Sequence, residues 1–146
     1  IKIKGRNAYL YRAVDSKDYT IEFLVSKKRD KNTAKRFFKK ALNSKHNQQP
    51  RVITTEKYPA TAIAIVEEIY YVDLSCRTQH RMNQYLNNII EQDHRLIKRK
   101  INPMLGFKSF ETAKRTICGI EVMHMIHKGQ VKTFNVSILK YSLYVI

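Results

Sequence analysis

Apolar and basic residues alternate at the start of the chain, in Ile1-Lys2-Ile3-Lys4, which predicts a strand with one wet face. Gly5-Arg6-Asn7 predicts a turn. Ala8 to Asp15 is apolar on both faces, as a central strand is. A turn at Ser16-Lys17-Asp18 leads to a third strand, Ile21 to Val25, so the first third reads as an antiparallel meander. The period then lengthens. From Asn32 to Leu42 the residues Ala34, Phe37, Phe38, Ala41 and Leu42 recur at helical spacing, and the lysines between them predict a solvated face. Ser44 to Pro50 predicts a polar loop, and Arg51 to Glu56 a buried fourth strand.

Pro59 suits the first turn of a short helix that continues from Ala60 to Ile69, and Tyr70 to Leu74 predicts a fifth strand. Asn87 or Asn88 is a fitting N-cap for a helix carrying Ile89, Ile90, Leu96 and Ile97, which Asn102-Pro103 ends. Ser109 caps a last long helix with Glu111 in its first turn. Its stripe is Phe110, Ala113, Ile117, Ile120 and Met123, and it ends near Lys128-Gly129. Val131 to Ile146 is apolar and rich in β-formers, with no place in this plan. The whole predicts an α/β fold: a mixed sheet, three antiparallel strands then parallel strands, flanked by helices. Ribonuclease H-like domains have this order.

Composition narrows the function. The 146 residues carry a formal net charge of +16 and a pI near 10.0, which predicts a polyanionic partner, nucleic acid before membrane. Hydrophobic residues make up 43%, enough for one globular domain. No apolar run reaches the length of a membrane span. Cys76 and Cys118 lie far apart and near no zinc-spaced cluster, so they read as reduced thiols. The chain opens inside a strand without an initiating Met, which implies a missing N-terminal part.

Two acids then stand out. Glu56 ends the fourth strand and Glu91 begins a helix, with 34 residues between them. Carboxylates held this way in a basic chain suit a two-cation phosphoryl-transfer site, where magnesium takes oxygen ligands. Lys98 lies two helical turns beyond Glu91 on the same face, and with Arg95 it could contact a phosphate backbone. Arg99, Lys100 and Lys57 join this basic set. Asp93 and His94 read equally well as supports of the site or as a solvated helix face.

Several motifs occur in order: Ile1-Lys2-Ile3-Lys4-Gly5, Tyr9 to Ser16, Arg29-Asp30 followed by Ala34 to Phe38, Val52 to Ala60, His80-Arg81, Tyr85 to His94, Leu105 to Phe110, and Gly119-Ile120-Glu121. On these the sequence resembles, over residues 1–130, the catalytic domain of DDE transposases from small bacterial insertion sequences of the family-six, cointegrate-forming kind. The resemblance implies a ribonuclease H-like fold, Mg2+ (or Mn2+), strand transfer of transposon ends into target DNA, self-association, and a place in the bacterial cytoplasm at the nucleoid. It makes Glu56 and Glu91 the metal-binding catalytic residues. It also shows departures. The family's first aspartate falls in a segment before Ile1 that is absent here, the second position is normally aspartate rather than glutamate, and residues 131–146 form a divergent tail. These departures imply impaired catalysis. The alternatives are a remnant that binds DNA through charge alone, or a ribonuclease H-type nuclease.

Overall fold

The computed structural model of the chain describes residues 1–43, 50–55, 63–64, 67, 78–82, 88–130 and 142–145, with the backbone alone at 88–91 and 142–145. Strand β1 (Lys2–Ile3) pairs with β2 (Arg6–Asn7) as an antiparallel ribbon. The loop between them is Lys4-Gly5, with φ of +48° and +74°. A two-residue loop with both residues at positive φ matches the twist of the flanking strands, so pairing resumes at Arg6. The turn is therefore one residue earlier than Gly5-Arg6-Asn7, and Arg6 and Asn7 are strand.

Among the described residues the main sheet has five strands: β3 (Tyr9–Val14), β4 (Thr20–Ser26), β5 (Val52–Thr55), β6 (Gln79–Met82) and β7 (Ser142–Val145). Their order is β4-β3-β7-β5-β6. β3 is antiparallel to β4 and to β7, and β5 is parallel to β7 and to β6. The sheet is mixed, as expected, but its central strand comes from the tail that had no place in the sequence plan. β6 was not anticipated either. Gln79-His80-Arg81-Met82 is a largely exposed edge strand without apolar alternation. The strand expected at Tyr70 to Leu74 and the loop at Ser44 to Gln49 lie outside the described residues, as does most of the short helix, of which 63, 64 and 67 are helical.

Among the described residues the helices bounded at both ends are α1 (Lys31–Leu42), α2 (Asn88–Ile101) and α3 (Phe110–His127), with a 3-10 turn at Asn102–Met104 after α2. Asp30 caps α1 by accepting from Thr33 N at 2.8 Å, and Ser109 caps α3 by accepting from Thr112 N at 3.1 Å. The period-two alternation of β3 sorts the layers. Tyr11 and Ala13 pack with Phe37, Phe38 and Ala41 of α1 on one face. Leu10 packs on the other, where Ile97 and Ile101 of α2 meet Ala113 and Ile117 of α3. Phe37 and Phe38 are fully buried, each contributing about 1.5–3 kcal/mol by leaving water.

Ile1 and Ile3 pack the hairpin on the α2–α3 core, and a close main-chain approach adds to the hold. Lys4 N donates to Phe107 O at 2.9 Å and Phe107 N to Lys2 O at 3.0 Å. Gly106 has a φ of +106°, and a Cβ there would sit 3.1 Å from Lys2 O. Only glycine meets both requirements.

Candidate functional site

Arg12 occupies the middle of an apolar strand, fully buried on the α2–α3 side of the sheet. Such a charge is tolerated only when paired and hydrogen-bonded. Its Nε and Nη2 donate to the two carboxylate oxygens of Glu121 on α3, at 2.7 and 2.9 Å, a bidentate fork. Its Nη1 lies 2.5 Å from the Asp93 carboxylate on α2. Asp93 also pairs with His124 and with Lys128, both at the end of α3. Lys128 reaches Asp18 in the β3–β4 turn at 3.1 Å, and the Gln130 side chain exchanges two hydrogen bonds with the Thr20 backbone. One buried network thus joins β3, α2, α3 and a distant turn.

The electrostatics follow from the pairing. Burial alone would raise the Asp93 pKa, but Arg12, Lys128 and His124 outweigh it and hold the carboxyl below the ordinary range. Burial alone would lower the Arg12 pKa, yet Glu121 and Asp93 raise it above the usual value. His94, next to Asp93, behaves oppositely. Burial, then Lys98 and Arg12, push its imidazole down to about 4, so it is neutral at pH 7. Its Nδ1 is buried with no hydrogen-bond partner among the described residues.

The network lies one residue from the sheet row in which β5 ends. Thr55, the last residue of β5, lies in one row across the sheet with Val145 of β7, Ala13 of β3 and Glu22 of β4. Two strand spacings, about 10 Å, therefore separate Thr55 from the residue beside Arg12. Thr55 is buried, and its Oγ1 is 3.0 Å from His80 Nε2, an imidazole whose pKa burial lowers. Glu56 and Lys57 follow Thr55 in the chain and lie outside the described residues. Glu91 lies in α2, two residues before Asp93, and only its backbone is described. Arg12 thus ties the helix that carries Glu91 to the sheet row in which β5 ends.

Arg95, Lys98, Arg99 and Lys100 are exposed on α2. Helical periodicity puts position 91 on one stripe with His94, Arg95 and Lys98. Those three line a cavity of about 590 Å³ with Arg29 and with Ala8 to Tyr11 of β3. The lysines of α1 behave as a solvated face: Lys31 and Lys35 pair with Glu67, and Lys40 with Glu22. Asp93 is not solvated at all. It is a buried support of α2, so the solvated-face reading does not hold for it.

A divalent cation would need free carboxylates. Among the described residues no group of three or more His, Cys, Asp or Glu could hold one. Asp93 and Glu121 are consumed by cations of the protein itself. Glu56 and the side chain of Glu91 lie outside the described residues.

Sequence reading missed Arg12, Glu121, His124 and Lys128 as a unit. The signal was a charge inside an apolar strand and two polar residues on a buried stripe. The buried face of α3 runs Ala113, Ile117, Glu121, His124, while Met123, expected on that stripe, is half exposed. Long-range partners such as Arg12 and Glu121, 109 residues apart, leave no local pattern.

Comparison with known proteins adds the family. Residues 1–130 match DDE_Tnp_IS240, described as a DDE domain. The chain is 39% identical over 129 residues to the transposase for insertion sequence-like element IS431mec of Staphylococcus aureus (strain Mu50). It has the same identity to the transposase for insertion sequence element IS257 in transposon Tn4003 of Staphylococcus aureus. In each case the match covers 88% of this chain and 54% of the relative, so the chain spans about half their length. An uncharacterised protein of Yersinia pseudotuberculosis, pYV0051, is 38% identical over 66 residues, covering 44% of this chain and 62% of its own. No solved structure matches.

Proposed function

This chain belongs to the DDE transposases of insertion sequences, and on that premise we propose that it is the catalytic-domain portion of a DNA transposase. The observation that carries the reading is the family match over residues 1–130, with Glu91 on a helix that a buried Arg12–Asp93 pair locks to the sheet. The fold is ribonuclease H-like, residues 1–130 form the catalytic domain, and 131–146 a divergent tail. Glu56 and Glu91 are the cation ligands. A bound Mg2+ or Mn2+ supplies Lewis acidity to the scissile phosphate and a more acidic attacking water or 3′-hydroxyl. Arg95, Lys98, Arg99, Lys100 and Lys57 hold the phosphate backbone of the transposon end or target. His94, neutral at pH 7, leaves the local positive charge to these residues. The place of action is the bacterial cytoplasm at the nucleoid, and partners are DNA and further copies of the chain.

No helix among the described residues is long and apolar enough to cross a membrane. The net charge of +16 also supports a second reading, DNA binding by charge without catalysis. Manganese separates the two. Paramagnetic broadening of amides around position 91, lost in Glu91→Gln, supports the cation site. Salt-sensitive DNA binding with no such broadening supports the charge-only remnant.

A further inference from the structure

A second groove lies beside the α2 cavity and carries charge that the proposed site does not use. Its volume is about 730 Å³, and Lys4, Arg6, Lys27, Lys28, Ser109 and Phe110 are among the residues that line it. The four cations are exposed. Among the described residues no Asp or Glu lines the groove, and none of the four makes an ion pair. The lysines of α1 differ, since Lys31 and Lys35 share Glu67 and Lys40 pairs with Glu22. A cleft lined by one sign of charge concentrates the field and draws in the opposite sign. The backbone beneath these cations is pinned. Lys4 N donates to Phe107 O at 2.9 Å, and Lys28 N to Ser26 Oγ at 3.3 Å. Lys27 Nζ stands 5.1 Å from the centroid of the Phe110 ring, which ties the end of β4 to the start of α3. That end of α3 adds the partial positive charge of its first-turn N–H groups.

We propose that this groove is a second phosphate-binding surface, which takes the backbone of duplex DNA running on from the stretch held along α2. The two grooves are neighbours. Ala8 lines both, and successive residues divide between them: Lys27 and Lys28 line this one, Arg29 the other. A phosphate backbone that passes Arg29 therefore finds Lys28 and Lys27 beside it. The lining favours duplex over single strand. Single strands are held largely by stacking their bases on aromatic rings. Phe110, the one aromatic residue lining this groove among the described residues, already has the Lys27 ammonium over its ring. Lysines meet phosphate as point charges, which positions a duplex without reading its sequence. The inference rests on the DNA reading proposed above and gives it a surface outside the α2 set.

Salt dependence tests it. The full chain and a variant with Lys4→Gln, Arg6→Gln, Lys27→Gln and Lys28→Gln are titrated onto fluorescent duplex DNA over a range of salt. Four lost phosphate contacts should flatten the slope of log K against log salt by about 3 to 4, whatever the sequence of the duplex. A control with Lys31→Gln, Arg36→Gln, Lys39→Gln and Lys40→Gln on α1 carries the same change of charge and should alter the slope by less than about 1. Lys4→Gln with Arg6→Gln keeps the Lys27–Phe110 contact and should flatten the slope by about 2, so the test stands even if the fourfold groove variant does not fold. An unchanged slope in the groove variants, an equal loss in the α1 control, or a loss confined to single-stranded DNA overturns the inference. If Arg95→Glu with Lys98→Glu still flattens the slope in that case, the DNA reading survives without this groove. Absence of salt-dependent binding by the starting chain would overturn both.

Discussion

Replacing Arg12 by Met removes one cation and leaves Glu121 fully buried with no cationic partner in the network. Breaking one side of a buried pair costs about 3–5 kcal/mol, because the remaining charge keeps its desolvation penalty. A domain of this kind has about 5–15 kcal/mol in total. With a urea slope of about 2 kcal/mol/M, the midpoint falls by about 2 M. The informative measurement is the double variant. In Arg12→Met with Glu121→Leu, both charges of the pair are gone, and Asp93 keeps Lys128 and His124. The double variant is expected to be more stable than R12M alone by at least about 1 kcal/mol, a second mutation that rescues the first. Urea unfolding followed by circular dichroism reads both. A double variant as unstable as R12M, or less stable, would refute the claim that the carboxylate's desolvation dominates.

Acid titration of stability should show two windows. His94 has a folded pKa of about 4 against 6.5 for the free group, so the unfolded chain takes up the proton first. Stability is full above pH 6.5 and falls by about 3 kcal/mol toward pH 4, a loss that His94→Gln removes. Asp93, whose pKa is lowered, contributes stability that is lost only as pH falls below the ordinary carboxylate range near 4. Gly106→Ala should cost about 1–3 kcal/mol, from its positive φ and the approach to Lys2 O. Gly119→Ala, in the interior of α3 with open space around it, should stabilise by about 0.5–1 kcal/mol, and thermal melts compare the two. On DNA, Arg95→Glu with Lys98→Glu should lower the slope of log K against log salt by about 2, read by fluorescence anisotropy.

The helices were legible because each carries its own period. Phe37 and Phe38 of α1 and Ala113 and Ile117 of α3 are buried as their spacing requires, and the Ser109 cap expected on α3 is short-range chemistry. β3 was legible because a strand covered on both faces reads as continuously apolar. β6 was not, because an exposed edge needs no apolar alternation. β7 was legible as β-prone but not as central, since its neighbours are set by pairings to residues 13–14 and 52–55, far off in sequence. The acids at 56 and 91 were visible through spacing and resemblance. The buried network was not, because each member looks ordinary until the fold brings the others to it.

The position of β7 also sets the order of assembly. The sheet's middle strand pairs with a strand about 130 residues earlier. Until β7 has paired, β3 and β5 keep open edges toward each other. Contacts of such separation slow folding, and unpaired strand edges invite association with other chains. Insertion of β7 is thus the step that closes two open strand edges at once.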